Sequence, residues 1–166
     1  MARKGRDILI EADGAEPDKI AVIPHGIPDV PFVTSDAAKE RLGFAGRKVI
    51  LYFYPKDDTS GCTAEAKDFS CLADGFAAAG ADVIGISPDS PASHAKFKAK
   101  HGLGLRLAAD ENKAVAEAYG VWVEKSMYGR KYMSEERSTI LINKSGKHAR
   151  IWRKVKVPGH AEEVLE

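Results

Sequence analysis

Cys62 is one of two cysteines among the 166 residues of the chain, and its surroundings predict a reactive thiol. It follows the stretch 54–61, YPKDDTSG, which links a predicted strand to a predicted helix. Free backbone N–H groups and the helix dipole favour negative charge at such a turn, and the thiolate is the nucleophilic form of cysteine. We therefore predict that Cys62 is a nucleophile. The alternative is that it is a small, buried and inert hydrophobic residue.

Two residues that precede Cys62 in the chain, Thr59 and Pro55, could form the rest of a reactive pocket. Thr59 lies three positions earlier, which places both side chains on one side of a helical turn. Its hydroxyl could therefore hydrogen-bond both the sulfur and a bound oxygen, although a simple N-cap is the alternative. Pro55 could wall the same pocket without offering a competing N–H group.

The elements around this turn predict an α/β fold with a central mixed β-sheet flanked by helices. The run 49–54, VILYFY, is apolar throughout and ends at a proline, which is typical of a strand buried on both faces. Further extended segments are predicted at 82–87, 103–108, 121–123, 138–142 and 148–155, and helices at 59–79, 91–100, 111–119 and 160–166. Residues 125–136 are polar and contain a glycine, which predicts a loop.

The first part of the chain has a different texture from the rest. Residues 1–45 contain Pro17, Pro24, Pro28 and Pro31 and only short apolar runs, which predicts an extended, partly ordered lead-in. The folded domain is predicted to span residues 46–166.

The residues Pro55, Thr59 and Cys62 resemble the proline, threonine and peroxidatic cysteine of the peroxiredoxin active-site motif. The wider string FYPKDDTSGCTAEA is similar to the peroxiredoxin Q, or bacterioferritin comigratory protein, subfamily, and the similarity continues through DVIGISPDS, YGVWVEKSMYGRKYM and ERSTILI. The resemblance implies a thioredoxin-like fold and a thiol-dependent peroxidase that reduces hydrogen peroxide and alkyl hydroperoxides. It also implies that the cysteine becomes a sulfenic acid and is regenerated by a thioredoxin-type donor, with no cofactor and no metal.

The same resemblance assigns roles to two charged residues. Arg137 stands in the family's arginine position, and a guanidinium stays charged and presents a rigid fork of donors that can hold a thiolate and a peroxide oxygen together. Without the family, Arg137 would be interpreted as a solvated residue at the edge of a strand. Glu65 also matches a family position and could support the site. The alternative for Glu65 is an acidic residue that is favourable near a helix N-terminus.

Cys71 marks a departure from the subfamily pattern. Many peroxiredoxin Q proteins carry a resolving cysteine five residues after the peroxidatic one, where this chain has Lys67. Cys71 lies nine residues after Cys62, a rise of about 13.5 Å in a continuous helix, whereas a disulfide requires Cα atoms about 4.4–6.8 Å apart. Cys71 is therefore a resolving thiol only if the helix opens; otherwise it is a packing residue and the enzyme is of the one-cysteine type.

The same thiols are also consistent with two other functions. A peroxide sensor or holdase-type interaction protein would use the oxidation of Cys62 as a signal, with little turnover. A thiol-disulfide oxidoreductase is disfavoured because the chain has no Cys-x-x-Cys motif.

Composition excludes several classes of partner. Lysine and arginine together number 25 against 24 acidic residues, so the sequence predicts neither nucleic-acid nor membrane binding. His94, His101, His148 and His160 are scattered, which favours surface histidines over a zinc site. The basic start lacks the apolar stretch of a signal peptide, so we expect a cytoplasmic protein, and the family resemblance favours a monomer.

Overall fold

The apolar run after Arg47 forms the central strand of the sheet in the computed structural model of the protein, which describes residues 34–127 and 129–166. Numbered in chain order, the strands are β1 (Lys48–Phe53), β2 (Ala81–Ser87), β3 (Arg106–Ala109), β4 (Trp122–Met127), β5 (Arg130–Glu135), β6 (Ser138–Ile142) and β7 (His148–Trp152). The described helices are α1 (Ser35–Leu42), α2 (Ser60–Cys71), α3 (Ala73–Ala78), α4 (Pro91–His101), α5 (Ala114–Ala118) and α6 (His160–Leu165).

Five strands form a mixed sheet in the order β3-β2-β1-β6-β7. The strands β1, β2 and β3 run parallel, while β6 pairs antiparallel with both β1 and β7. The two parallel pairings are connected through helices, as parallel strands require. The predicted central mixed sheet flanked by helices is therefore confirmed.

The alternation of side chains along β1 explains why this strand is buried on both faces. Ile50 and Tyr52 pack into one hydrophobic cluster, to which α2, α3, α4 and α6 contribute Phe69, Phe76, Phe97 and Val164. Leu51 and Phe53 point to the opposite face and pack with Phe44, Ala116 and Val121. Successive residues of a strand face opposite sides, so each cluster takes every second residue of β1.

Two sequence-based predictions of elements are wrong. Residues 125–136 were expected to be a loop, but β4 and β5 form an antiparallel hairpin in which Trp122 pairs with Glu135. The helix expected at 59–79 is two helices, because Leu72 (φ −93°, ψ 7°) leaves helical geometry between α2 and α3. In addition, α5 begins at Ala114 rather than at residue 111, and β7 ends at Trp152 rather than at residue 155.

Part of the predicted lead-in is helical rather than extended. Residues 35–42 form α1, whose N-cap Thr34 accepts a hydrogen bond from the amide of Ala37 on its side-chain oxygen. Residues 1–33 lie outside the described part, so the prediction of an extended segment there and the domain boundary at residue 46 stay predictions. Within the described part, no helix combines the length and apolar character needed to cross a membrane.

The histidines are less exposed than predicted. His94 and His160 were expected at the surface, but both are buried. The Nδ1 atom of His94 contacts the Asp57 carboxylate, and the Nε2 atom of His160 lies 2.8 Å from the hydroxyl of Thr139. Both lie in the core with one ring nitrogen each on a partner distant in sequence, and the Nε2 atom of His94 has no hydrogen-bond partner among the described residues.

A buried lysine ties α1 to the rest of the domain. The ammonium group of Lys39 donates to the backbone carbonyl oxygens of Arg47, at 2.8 Å, and of Asn143 and Lys144. These carbonyls belong to the segment before β1 and to the turn between β6 and β7. The charge therefore links three separate parts of the chain.

Candidate active site

Cys62 lies in the first turn of α2, where the sequence predicted it. It is the third residue of the helix, after the N-cap Thr59, and its side chain is only 1% exposed. The first amide groups of a helix have no partners within the helix, and the macrodipole is positive at this end. A negative charge on the Cys62 sulfur is therefore stabilised by its position in the helix.

Arg137 meets Cys62 because of the pairing between β1 and β6. In that pairing Phe53 opposes Ser138, so the residue before β6 lies beside the carboxyl end of β1, from which the chain turns into α2. The Nη2 atom of Arg137 donates a hydrogen bond to the Sγ atom of Cys62 at 3.2 Å. The predicted pairing of this arginine with the thiol is therefore present in the structure.

Glu65 completes a buried charged group with Cys62 and Arg137. It lies one helical turn after Cys62, is 2% exposed, and its Oε2 atom accepts a hydrogen bond from Nη1 of Arg137. Burial raises the pKa of Glu65 to about 7, and the Arg137 charge opposes that rise. Burial alone would lower the pKa of Arg137, but Glu65 and the Cys62 sulfur together raise it above its ordinary value. The guanidinium is thus fixed as a cation between two acceptors.

Thr59 and Pro55 lie in the 55–59 loop, which connects β1 to α2. Pro55 is partly buried and Thr59 is exposed. The hydroxyl of Thr59 donates to the carbonyl of Lys56 at 3.3 Å and makes no capping bond with α2. The expected hydrogen bond from the Thr59 hydroxyl to the Cys62 sulfur is not formed, although the structure describes both residues. Thr59 is the N-cap of α2 by backbone geometry.

Cys71 is the last residue of α2 and is exposed. Because Cys62 and Cys71 belong to one unbroken helix, their separation follows the helical rise of about 13.5 Å for nine residues. That is well beyond the span of about 4.4–6.8 Å that a disulfide bridges. Phe69 lies between them in sequence, is fully buried and stacks on Tyr52 with ring centroids 4.8 Å apart. Direct bonding of the two sulfurs requires α2 to open.

The structure adds a buried polar network that the sequence analysis missed. Asp57, in the 55–59 loop, accepts hydrogen bonds from Tyr54, Ser93 and His94. The pair of adjacent aspartates in the loop is visible in the sequence, but two of the three partners of Asp57 lie in α4, more than thirty residues away. No local pattern could have joined them.

Comparison with known proteins identifies relatives of this chain. Residues 32–150 match the family model described as the AhpC/TSA family. The chain is 49% identical over 123 residues to a peroxiredoxin Bcp of Bacillus subtilis, covering 74% of this chain and 78% of that protein. It is 42% identical over 149 residues to the peroxiredoxin Bcp of Xanthomonas campestris, covering 89% and 93% of the two chains.

A solved structure extends the match to the fold. The bacterioferritin comigratory protein of Xanthomonas campestris, described for its alkyl peroxide reduction activity, superimposes with a TM-score of 0.71 at 45% identity, covering 75% of this chain and 79% of that one. The predicted thioredoxin-like fold is confirmed. The chain therefore belongs to the AhpC/TSA family and is a peroxiredoxin of the Bcp or peroxiredoxin Q type, a thiol-dependent peroxidase.

Proposed function

We propose that Cys62 is the peroxidatic residue and that its thiolate attacks the terminal oxygen of a peroxide. A sulfur–oxygen bond forms as the oxygen–oxygen bond breaks, and water or an alcohol leaves after taking up a proton. Cys62 is then a sulfenic acid, oxidised by two electrons. The observation that carries this proposal is the hydrogen bond from Arg137 to the Cys62 sulfur at 3.2 Å, because a fixed cation beside a thiol stabilises the attacking form.

The other site residues act on the same step. Arg137 holds the thiolate and stabilises the charge that develops on the leaving oxygen, the role of an oxyanion hole. Glu65 holds Arg137 in place through its carboxylate. Thr59 and Pro55, on the loop before α2, are proposed to contact the peroxide, Thr59 by rotation of its exposed hydroxyl away from Lys56. The proposed step calls for no metal or cofactor.

Cys71 is proposed as the resolving thiol. It is the only other cysteine of the chain, and it ends α2 at the point where Leu72 interrupts the helix. Its thiolate would attack the Cys62 sulfenic acid, releasing water and forming a disulfide, which a dithiol then reduces by two electrons. The proposal requires the first turns of α2 to unwind after oxidation, because the helical separation is too long for a bond.

The partners follow from this chemistry. We propose hydrogen peroxide and alkyl hydroperoxides as substrates, supported by the activity described for the Xanthomonas relative. A thioredoxin-type protein is the proposed reductant, and a cytoplasmic monomer that binds neither nucleic acid nor membranes is the proposed state, in keeping with a net charge of only +1. The alternative, a sensor with little turnover, is not favoured because the relatives are peroxiredoxins.

The experiment that tests the proposal compares wild type, Cys62→Ser and Cys71→Ser by intact mass after one equivalent of hydrogen peroxide. Peroxide consumption under a thioredoxin system is measured in parallel. We expect wild type to lose two hydrogen atoms, Cys71→Ser to gain one oxygen, and Cys62→Ser to remain unoxidised and inactive. Oxidation of Cys62→Ser as fast as wild type would overturn the peroxidatic assignment. A stable sulfenate in wild type with full turnover would instead assign the one-cysteine mechanism and leave Cys71 as a packing residue.

A further inference from the structure

The 55–59 loop contains two adjacent aspartates with opposite environments. Asp57 is 7% exposed and lies in the core, whereas Asp58 is exposed. Asp58 has a positive φ of 58°, a left-handed conformation that an aspartate adopts more readily than most residues. This backbone turn sends the two neighbouring carboxylates in different directions. Both nevertheless bind the same helix, α4.

Both the side chain and the backbone amide of Asp57 are hydrogen-bonded. Its carboxylate accepts hydrogen bonds from the Tyr54 hydroxyl at 2.8 Å, from Ser93 Oγ at 2.7 Å and from His94 Nδ1 at 2.9 Å. Its amide donates to Asp89 Oδ2 at 2.8 Å, just beyond the end of β2. Burial and the bond to Asp57 raise the pKa of Tyr54, which keeps the phenol protonated as a donor. One loop residue is thus linked to β1, β2 and the first turns of α4.

Asp58 binds the other end of α4. Its carboxylate accepts from Lys100 Nζ at 2.5 Å and lies 2.7 Å from Nε2 of His101. The hydrogen bonds from Lys100 and then His101 lower the pKa of Asp58, so the carboxylate stays ionised. Both partners are in the last turn of the helix.

The spacing of these partners is regular. Ser93 and His94, which bind Asp57, precede Lys100 and His101, which bind Asp58, by seven residues each. Seven residues are two turns of an α-helix, about 10.5 Å, so the two pairs lie on one face of α4. Two adjacent loop residues therefore grip one helix at two points two turns apart.

We propose that Asp57 and Asp58 are positioning residues that hold the 55–59 loop against α4, and that this contact sets the placement of Pro55 and Thr59 over Cys62. The proposal rests on the proposed function, in which those two residues contact the peroxide. It assigns the support of the peroxide pocket to α4, which the proposed reaction does not otherwise use. The thiolate itself is supported separately, by α2 and Arg137.

Burial decides which aspartate matters more. The Asp57 carboxylate is buried and accepts three hydrogen bonds, so replacing one of its oxygens by an amide NH2 group leaves at least one buried donor without an acceptor. The Asp58 pairs are exposed, and exposed ion pairs contribute little to stability. We therefore expect Asp57 to contribute most to holding the 55–59 loop against α4, and Asp58 to have a smaller effect on the position of the loop.

Because different residues position the peroxide pocket and stabilise the thiolate, an experiment can test the two separately. In a Cys71→Ser background, the rate constants of Cys62 with hydrogen peroxide and with iodoacetamide are measured at pH 7 for Asp57→Asn. Iodoacetamide requires the thiolate but not the peroxide contacts of Pro55 and Thr59. We expect the peroxide rate constant to fall about 10- to 100-fold, as small displacements of a reactive geometry do, and the iodoacetamide rate constant to change less than about two-fold.

Asp82→Asn serves as the matched control. Asp82 pairs with Arg47 at the opposite end of the same parallel strands, so this variant also loses an aspartate charge but should keep both rate constants. Tyr54→Phe, which removes one donor to Asp57 without a buried charge change, covers the case in which Asp57→Asn does not fold, and should lower the peroxide rate constant alone by about three- to ten-fold.

Two outcomes would overturn the inference. One is an unchanged peroxide rate constant in folded Asp57→Asn or Tyr54→Phe. The other is an equal loss of both rate constants that parallels the loss of stability, which would make the network merely structural. Neither outcome would affect the peroxidatic assignment, which depends on Cys62→Ser.

Discussion

Arg137 divides its donors between two acceptors, and this division distinguishes it from a lysine at the same position. One terminal nitrogen of the guanidinium binds the Cys62 sulfur and the other binds Glu65. The planar fork fixes both bonds at once, whereas an ammonium group is a compact charge on a flexible stem. We therefore expect the Glu65 carboxylate to act on the Cys62 thiol through the orientation of the Arg137 cation.

We predict that Arg137→Lys lowers the rate constant of Cys62 oxidation by hydrogen peroxide about 10- to 100-fold, because one correctly placed donor to the reacting atoms is lost. Stopped-flow measurement at pH 7 checks this. Arg153→Lys is the control: Arg153 is exposed, binds the carbonyls of Tyr119 and Gly120 and should show the wild-type rate. A rate within two-fold of wild type for Arg137→Lys would contradict the role of the fork.

At the scale of elements, the proposed reaction places two opposed demands on α2. Its first turn stabilises the Cys62 thiolate only when it is helical, yet bonding to Cys71 requires the same turn to open. Phe69 resists opening beyond the first turns, since it is buried against Tyr52 and Phe76. Gly61, the second residue of the helix, is the weakest helix former in the opening segment.

Gly61→Ala should separate these two demands. A Cβ atom at position 61 would lie 3.5 Å from Arg137 Nη2, an ordinary contact, so the substitution fits the folded site. Alanine favours the helix by up to about 1 kcal/mol, which should slow disulfide formation about five-fold while leaving sulfenic acid formation unchanged. Rapid quench and intact mass resolve the two steps. Ala64→Gly, at an exposed position of α2, should accelerate the disulfide step, and identical disulfide rates in both variants would contradict opening of the helix.

The elements also show where prediction from sequence succeeds and fails. The strand β1 was predictable because its burial on both faces requires an unbroken apolar run. The β4–β5 hairpin was mistaken for a loop because its side chains from Arg130 to Met133 are exposed and polar or mixed, so no alternation marks it. The position of Cys62 at a helix start was readable locally. The contacts of Asp57 with α4 depend on tertiary packing and could not be predicted from the local sequence.

For the molecule as a whole, Glu135 is a source of instability in the folded state. It is 1% exposed, and neither of its carboxyl oxygens has a hydrogen-bond partner among the described residues. Burial raises its pKa to about 8, with Asp110 and Asp89 adding to the rise. Because the pKa of Glu135 in the folded state lies above the unfolded value of 4.5, the folded state binds the proton more tightly. The stabilisation that comes from this proton binding is complete below pH 4.5 and is lost as the pH rises through 8.

We predict that Glu135→Leu raises the free energy of unfolding by about 2 kcal/mol at pH 6, because a buried polar group without a partner is removed. The gain should be larger at pH 9, where the wild-type carboxylate must be ionised in the core. Urea unfolding at both pH values measures it. Glu135→Gln is the matched variant: it removes the titration but leaves the unpartnered polar group, so it should flatten the pH dependence and gain less stability than Glu135→Leu at both pH values. Equal stability of wild type and Glu135→Leu at pH 9 would contradict the account.

The burial of Lys39 has a consequence for the chemical labelling of amines. An ammonium group whose donors all point at carbonyl oxygens inside the fold must lose its proton and leave those acceptors before it can attack an acylating reagent. Its modification would therefore report the release of α1 from the turn between β6 and β7, whereas the exposed lysines would be acylated in the intact fold. The rate at which Lys39 is acylated would therefore measure local unfolding at α1, separately from the redox chemistry of the cysteines.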